Sequence, residues 1–233
     1  MTARFTIEVA GENALIIYFS EQVNIDCMAQ VRQAEQLIRE NMADDIIDLV
    51  PSYASILVMF TLLNTDHYQC RNKLHQVLNK PSWLKPTVGK LVEFPVYYSA
   101  QSGPDLARIA QHKKLTIAQV IQFHQLTEYH VYAIGFAPGF AYLGEVDERI
   151  ATPRLATPRS NVPQGAVGIA DGQTAVYPST SPGGWNIIGL CPLRMFDAKA
   201  KQPMLVKVGD RVKFNSISEQ DFYHLGGVLG VIK

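Results

Sequence analysis

The sequence predicts an α+β protein in which a small α/β sandwich, residues 1–90, precedes a β-barrel domain, residues 91–233. Three observations lead to this prediction. Strand and helix patterns alternate through the N-terminal part, and many short strand patterns separated by turns fill the rest. Residues 135–192 also hold seven of the 13 prolines and nine of the 16 glycines. Proline breaks a helix and glycine disfavours one, so this stretch excludes long helices and favours short strands on fixed loops.

The N-terminal part alternates strands with helices. Runs rich in Ile, Val, Phe and Tyr predict strands, and apolar residues three and four apart predict amphipathic helices. The strands cover residues 4–10, 14–19, 46–50, 56–60 and 88–96, and the helices cover residues 24–41 and a stretch from the capping residue Asp66 to Pro81. Two such split strand–helix–strand units form a ferredoxin-like sandwich. This part contains no phosphate-binding glycine loop, and we interpret it as a scaffold or interaction domain.

The C-terminal part begins with two short helices and continues as strands. Ser102-Gly103-Pro104-Asp105 predicts a helix start with Ser102 as the capping residue, and Thr116-Ile117-Ala118-Gln119 predicts a second helix start with a capping box. The strand patterns cover residues 129–134, 167–170, 174–176, 186–190, 205–208 and 212–215. Gly209-Asp210, between the last two, predicts a hairpin turn. Many short strands with only two short helices predict a closed or nearly closed β-barrel.

Composition limits the classes of partner. The 233 residues are 47% hydrophobic, their formal net charge is zero and the sequence pI is about 7.0. No basic stripe occurs, so we expect no nucleic-acid partner. The chain has neither a signal-peptide pattern nor an apolar run of about 18 residues, so we expect a soluble cytoplasmic protein without a membrane partner. The three cysteines form no C-x-x-C pair, and we expect neither a metal site nor a disulfide framework.

His124 is a candidate acid–base residue. It shares one helix face with Ile117, Val120 and Ile121. One interpretation is a histidine at the edge of the core with its ring nitrogens satisfied locally. The other is a neutral imidazole at the lip of a pocket, able to exchange a proton near pH 7.

An aromatic turn follows, with Phe136 and Phe140 on either side of Pro138-Gly139. A Pro-Gly pair predicts a type II turn in which Gly139 takes a positive φ. Such a turn either packs its aromatic rings into the core or forms a wall with exposed backbone N–H groups, where a flat or anionic ligand docks. Both interpretations stay open on sequence alone.

Two arginines lie five residues apart in repeated Thr-Pro-Arg triplets, as Arg154 and Arg159. Prolines stiffen the backbone there, and guanidinium groups suit carboxylate and phosphate recognition. The stretch from Gln173 to Trp185 adds an amide, hydroxyls and a Gly-Gly bend. Together they favour a pocket for a small polar acid over a purely structural role for the tryptophan. No G-x-S-x-G, H-E-x-x-H or Walker pattern occurs, so motifs alone name no reaction.

Several motifs in one order resemble a known family. They are Val50-Pro51-Ser52-Tyr53 with Ser55-Ile56-Leu57-Val58, Gly103-Pro104-Asp105-Leu106, the stretch from Gly135 to Leu143, the two Pro-Arg pairs, Val167-Gly168-Ile169-Ala170 with Gln173-Thr174, Tyr177-Pro178, and Ser181-Pro182-Gly183-Gly184-Trp185. The sequence resembles the B-type subunit of the ATP-dependent bacterial 5-oxoprolinase, a family that includes the kinase inhibitor KipI and proteins labelled allophanate hydrolase subunit 1. The likeness spans nearly the whole chain.

This resemblance implies a cyclophilin-like barrel after the N-terminal domain. It also implies a chain that is inactive alone and that activates 5-oxo-L-proline with a homologous C-type subunit, by phosphorylation, while an A-type subunit opens the lactam to L-glutamate. ATP is the implied cofactor, with Mg²⁺ held mainly by the partner, and biotin is not expected. The alternatives are a KipI-like inhibitor of a histidine kinase and one half of a biotin-dependent carboxyltransferase of the urea carboxylase type.

The implied site combines the residues discussed above with one further tyrosine. The expected catalytic residues are His124, Arg154 and Arg159, and the expected substrate contacts are Phe136, Pro138, Gly139, Tyr142, Gln173, Thr174, Tyr177, Ser181, Gly183, Gly184 and Trp185. Two segments depart from the usual family pattern, Gly144-Glu145-Val146 and Ala170-Asp171-Gly172. Asp171 would weaken an anion site if its carboxylate faced inward.

Overall fold

The computed structural model describes residues 5–20, 25–79 and 89–233. The chain divides into two compact units, Met1–Val88 and Gly89–Lys233. This division falls two residues before the predicted boundary after residue 90. Within the described ranges, every helix is too short or too polar to cross a bilayer.

The described residues of the first unit form a four-stranded antiparallel sheet with two helices. Its elements are β1 Thr6–Gly11, β2 Ala14–Tyr18, α1 Ile25–Asn41, β3 Ile46–Pro51, β4 Ser55–Phe60 and α2 His67–Leu78. The strand order is β1-β2-β4-β3. Strands β2 and β3 are both antiparallel to β4, so they run parallel to each other with α1 joining them. This arrangement is the split unit of a ferredoxin-like sandwich.

One core holds this unit together. The helices bury Val31, Ile38 and Leu74 against Leu15 and Val58 of the sheet, all of them inaccessible to solvent. The predicted cap of α2 is confirmed, since the Asp66 carboxylate accepts a hydrogen bond from Gln69 N at 2.8 Å.

The second unit contains nine strands and three helices. They are β5 Leu91–Val96, α3 Leu106–Lys113, α4 Ile117–Leu126, β6 Glu128–Ile134, β7 Ala141–Gly144, β8 Arg159–Val162, β9 Ala166–Ala170, β10 Gln173–Val176, β11 Ser181–Gly183, β12 Asn186–Leu190, β13 Arg211–Ser216 and α5 Glu219–His224. Seven strands form one sheet in the order β12-β9-β10-β7-β6-β13-β5, and β8 and β11 form a separate ribbon.

The seven-stranded sheet closes on itself. Tyr97, directly after β5, exchanges two backbone hydrogen bonds with Leu190 of β12, at 2.9 and 3.0 Å. Gly189 permits this seam, because a Cβ there would lie 2.6 Å from Cγ1 of Val96. The predicted β-barrel is therefore confirmed. Its sheet is buried on both faces at β9, where all five residues are inaccessible, so β9 lacks the alternation of a half-exposed strand.

One predicted strand is confirmed but lies in the other unit, and a second predicted strand is absent. The strand predicted over residues 88–96 belongs to the second unit, where β5 pairs along six residues with the parallel strand β13. The edge position beside β2 that it would fill is taken by β1. Residues 205–208 form no strand, and Gly209-Asp210 is no hairpin. Instead the Asp210 carboxylate accepts hydrogen bonds from Lys207 N and Lys90 N, at 2.9 and 3.1 Å, and turns the chain into β13.

The helix starts are partly as predicted. Thr116 and Gln119 form the expected capping box at α4. Ser102 does not cap α3, because the helix begins at Leu106 with Asp105 at the N-cap position. The Ser102 hydroxyl donates to Tyr97 O at 2.7 Å. The side chain of Asp105 makes no capping bond, and its oxygens are used elsewhere.

Candidate functional site

Five aromatic side chains meet on the second unit. The Phe140 ring centroid lies 5.3 Å from that of Phe136, 4.9 Å from Tyr142, 5.5 Å from Tyr177 and 5.6 Å from Trp185. These edge-on arrangements are the favoured geometry of aromatic pairs. The fold thus gathers four predicted substrate contacts around Phe140, and we call these five residues the aromatic cluster.

The loop between β6 and β7 presents one member of the cluster to solvent. Phe140 N donates to Ala137 O at 2.9 Å, and Gly139 has a φ of 85°, which is the expected type II turn around Pro138. Just before it, Ala137 N donates to Gly135 O at 2.8 Å across Phe136, whose φ is 68°. This is a γ-turn of the rare strained kind. It leaves Phe136 69% exposed.

The N–H groups of this loop are partly used by the loop itself. Those of Ala137 and Phe140 donate to Gly135 O and Ala137 O, and Pro138 has none. The expected wall of exposed N–H donors is therefore not formed by these residues. What the loop offers a ligand is the Phe136 ring, held outward in a backbone conformation that bulky residues rarely adopt.

Arg154 is exposed on a backbone that is fixed on both sides. Pro153 O accepts from Asn186 Nδ2 at 2.9 Å, and Leu155 N donates to Gly184 O at 2.7 Å. The guanidinium carbon lies 5.8 Å from the ring centroid of Trp185, within the range of a cation–π contact. Among the described residues, no carboxylate forms an ion pair with it. Arg154 is thus available to bind an anion beside the aromatic cluster.

Arg159 differs from Arg154 because it already has a partner. Its Nη2 donates to Asp105 Oδ1 at 2.9 Å, and Nη1 lies 2.9 Å from Oδ2 without the angle of a hydrogen bond. Both side chains are largely buried, with 19% of Arg159 and 6% of Asp105 exposed. Asp105 Oδ2 also accepts from Ile187 N at 2.7 Å. Arg159 therefore ties β8 to the start of α3 and is less available than Arg154 to a ligand, and its catalytic role stays a prediction.

Asp105 and Asn186 hold the loops of the candidate site in place, and they were not among the predicted site residues. Asn186 is fully buried, with its Nδ2 facing three backbone carbonyls and its Oδ1 accepting from Arg108. The local patterns around Asp105 and Asn186 predicted only a helix start and a strand. Their partners are between 17 and 82 residues away in sequence, so no local pattern pointed to these roles.

His124 lies inside the barrel core. Its Nδ1 is 2.8 Å from the Tyr98 hydroxyl, and its Nε2 is 3.0 Å from Oγ1 of Thr174. The Thr174 hydroxyl donates to Gly168 O at 2.9 Å, so it accepts from Nε2–H, and Nδ1 accepts from Tyr98. Burial lowers the pKa of His124 to about 3, and the ring is neutral. The structure therefore favours a core histidine with both ring nitrogens hydrogen-bonded over an imidazole at the lip of a pocket. The catalytic role of His124 stays a prediction.

The remaining predicted contacts fall into two groups. Thr174 is buried with His124, away from solvent, and Gln173 is half-buried at the start of β10. Ser181 and Gly183 lie on β11, where a Cβ on Gly183 would sit 2.9 Å from Cζ of Tyr177. Burial raises the pKa of Tyr177 to about 12, so its hydroxyl stays protonated.

The Asp171 side chain is not buried among the residues of the aromatic cluster. It occupies the turn between β9 and β10 with a φ of 52°, its side chain is exposed, and its N–H donates to Thr152 O at 2.8 Å. Because the Asp171 carboxylate faces solvent and not the interior, the condition under which it would weaken an anion site is not met.

Two cavities are lined by residues other than the predicted site residues. One, of about 360 Å³, is in the first unit beside Asp45 and Lys73, and the other, of about 160 Å³, is beside Cys191 and Phe222. None of the predicted site residues lines either cavity. Within the part of the chain that the structure describes, no group of three His, Cys, Asp or Glu side chains could hold a metal ion. The candidate site is a surface that combines the Arg154 cation with exposed aromatic area.

Comparisons with known proteins show the family to which the chain is similar. Residues 5–206 match the family model described as "Carboxyltransferase domain, subdomain C and D". The chain is 38% identical to a B-type subunit of 5-oxoprolinase from Bacillus subtilis, over 96% of this chain and 97% of that protein. It is 35% identical to the B-type subunit of 5-oxoprolinase from Escherichia coli O157:H7, over 88% and 92% of the two chains. The corresponding Haemophilus influenzae protein is 39% identical over 79% and 86%.

Solved structures share the fold. The crystal structure of TTHA0988 has a TM-score of 0.78 and 30% identity over 88% of this chain, which spans only 40% of that protein. The conserved uncharacterized protein PH0987 of Pyrococcus horikoshii has a TM-score of 0.56 and 40% identity, over 93% and 100% of the chains. Urea carboxylase of Kluyveromyces lactis has a TM-score of 0.72 over 94% of this chain and 22% of that one, and its 16% identity shows the fold alone. The predicted α+β class with a cyclophilin-like barrel is confirmed.

Proposed function

The chain belongs to the family of 5-oxoprolinase B-type subunits, which are built as carboxyltransferase subdomains C and D, and from this premise we propose that it works in an ATP-dependent 5-oxoprolinase. In this proposal it acts with a homologous C-type subunit to activate 5-oxo-L-proline by phosphorylation. An A-type subunit then opens the lactam to give L-glutamate. The chain by itself is inactive, and it works in the cytoplasm.

Arg154 is the residue that carries the proposal. It combines an exposed guanidinium, a backbone anchored on both sides and a position over the Trp185 ring. 5-Oxoproline is a small, nearly flat ring with one carboxylate. The carboxylate binds the Arg154 fork, and the ring packs on the aromatic cluster, of which Phe136 is exposed. Arg159 is less suited to this role, because Asp105 already occupies its guanidinium.

The chemistry asks for positioning more than for a nucleophile on this chain. The lactam oxygen would attack the γ-phosphorus of ATP with ADP as the leaving group. Water would then add to the activated carbon, the ring C–N bond would break, and inorganic phosphate would leave. The carboxylate nearest to Arg159, Asp105, is taken up by that arginine and by Ile187 N. In this proposal the nucleotide and Mg²⁺ are held mainly by the partner protein, and this chain orients the substrate.

A coupled ATPase assay tests the proposal. The chain is produced together with its neighbouring subunits, and ATP hydrolysis is measured with and without 5-oxoproline. The complex should hydrolyse ATP only when 5-oxoproline is present. Arg154→Ala should raise the KM for 5-oxoproline by roughly 10- to 100-fold, because a charged hydrogen-bonding group is lost. Arg39→Ala is the matched control, since Arg39 forms a surface pair with Glu35 on α1 of the first unit.

Two outcomes would contradict the proposal. ATP hydrolysis that is independent of 5-oxoproline, together with tight binding to a histidine kinase, would support an inhibitor instead. ATP hydrolysis by the isolated chain in the presence of 5-oxoproline would place the nucleotide on this chain. The urea carboxylase likeness carries no second function here, because at 16% identity it concerns the fold only.

A further inference from the structure

The backbone on both sides of Arg154 is fastened to one three-residue segment. Asn186 donates through Nδ2 to Pro153 O at 2.9 Å, and Gly184 O accepts from Leu155 N at 2.7 Å. Trp185, between them, lies under the Arg154 guanidinium. The segment Gly184–Asn186 therefore fixes the backbone that carries Arg154 and contacts its guanidinium.

Asn186 is itself held on every side. Its relative exposure is 0%, and its Nδ2 also approaches Ile169 O at 3.0 Å and Thr152 O at 3.4 Å. Its Oδ1 accepts from Arg108 Nη1, on α3. A buried amide with all its partners in place keeps a single orientation, because any rotation would orphan several polar groups.

The first turn of α3 extends this support to the strand that carries Asn186. Asp105 N donates to Ile187 O at 3.0 Å, and Ile187 N donates to Asp105 Oδ2 at 2.7 Å. Arg108 lies three residues after Asp105, on the same side of the helix. The start of α3 thus fixes both β12 and the amide of Asn186.

We propose that Asn186, locked by Arg108, is a positioning residue that presets the Arg154 guanidinium for the substrate carboxylate. The proposal rests on the proposed function and adds a determinant of substrate affinity. Ordering an arginine side chain on binding costs rotamer entropy. A loop that is already fixed removes part of that cost from the binding step.

Asn186→Asp tests this proposal. The carboxylate still accepts from Arg108 but no longer donates to Pro153 O, Ile169 O or Thr152 O. In the 5-oxoprolinase complex we expect the KM for 5-oxoproline to rise about tenfold, the loss of a well-placed charged contact, while kcat changes by less than about twofold. Asn161→Asp is the matched control, because Asn161 Nδ2 also donates to a backbone carbonyl, that of Val231 rather than one of the Arg154 loop.

A double substitution shows whether Asn186 acts through Arg154. In an Arg154→Ala background, Asn186→Asp should cause no further rise in KM, because the group it positions is already gone. Equal losses in both backgrounds, or an unchanged KM in folded Asn186→Asp, would overturn the proposal. If Asn186→Asp does not fold, Arg108→Lys replaces it, and we expect a smaller increase in KM.

A fluorescence measurement keeps this test independent of the proposed function. The chain has two tryptophans, Trp83 and Trp185, so Trp83→Phe leaves Trp185 as the reporter of the nearby Arg154 charge. Arg154→Ala and Asn186→Asp should change its emission in the same direction, and Asn161→Asp should leave it unchanged. A wild-type spectrum for Asn186→Asp would refute the positioning role even if 5-oxoproline proves not to be the substrate. A changed spectrum in a complex without 5-oxoproline turnover would refute only the proposed function.

Discussion

The Asp105–Arg159 pair allows the structural and ligand-binding roles of an arginine to be separated by measurement. Only 6% of the Asp105 side chain and 19% of the Arg159 side chain are exposed, and two contacts of 2.9 Å join them. Removing one member of a buried pair costs about 3–5 kcal/mol, because the other charge is left without compensation. Asp105→Ala also orphans Ile187 N, so we expect the upper end of that range. Arg159→Met should cost about 2–4 kcal/mol, since the remaining carboxylate keeps Ile187 N as a donor.

Urea unfolding followed by Trp185 fluorescence, in a Trp83→Phe background, measures these costs in the second unit. The double variant Asp105→Ala with Arg159→Met should cost about 2–3 kcal/mol less than the sum of the single variants. Asp197→Ala is the control, because its contact with Arg194 is 3.8 Å long and both side chains are well exposed. That surface pair should contribute less than about 1 kcal/mol. An Arg159→Met variant as stable as Asp197→Ala, but with a higher KM for 5-oxoproline, would make Arg159 a ligand and refute the structural assignment.

Three further predictions concern the second unit. In the folded chain His124 has a pKa of about 3, below the usual 6.5 of an unfolded chain. Its contribution to the free energy of unfolding is therefore fully present above pH 6.5 and is lost as the pH decreases toward 3. The loss should be about 2 kcal/mol at pH 5, measured by urea unfolding, and His124→Gln should remove this dependence. Gly183→Ala should cost about 1–3 kcal/mol by pushing on the Tyr177 ring, whereas Gly184→Ala, whose Cβ would meet atoms no nearer than 3.6 Å, should be tolerated in the same unfolding assay. Lys114→Gly should raise stability by about 0.5–1 kcal/mol in the same unfolding assay, because Lys114 has a φ of 56° at the end of α3. A less stable Lys114→Gly would show that the lysine side chain outweighs this strain.

The sequence correctly predicted those turns and helix caps that depend only on neighbouring residues. The Pro138-Gly139 turn, the Thr116 capping box and the Asp66 cap are each decided by residues within three positions, and the structure confirms all three. The strand over residues 205–208 failed for the opposite reason. Its apolar residues Val206 and Val208 are buried, but no neighbouring strand in the second unit pairs with them, and a carboxylate, Asp210, organises the turn instead.

The sequence predicted which residue types form the candidate site, but not which contacts each of them makes. Aromatic residues and arginines in a Pro-rich stretch indicated binding, and the fold does gather Phe136, Tyr142, Tyr177 and Trp185 in one cluster. The difference between Arg154 and Arg159 could not be predicted, because it depends on Asp105, which is 54 residues away from Arg159. The short strands β8 and β11 were missed as well, since Arg-Ser-Asn-Val and Ser-Pro-Gly have little strand propensity without the partner strand.

The parallel pairing of β5 with β13 has a consequence for synthesis on the ribosome. Lys90 and Asp210, which are hydrogen-bonded at the start of this pair, are 120 residues apart. Translation adds about 5–20 residues each second, so β5 emerges roughly 6–24 s before β13 exists. During that interval the nascent chain carries a strand whose parallel neighbour is missing, and open strand edges recruit other chains. Overproduction of this protein should therefore depend on chaperones that cover residues 91–96 until translation reaches residue 216.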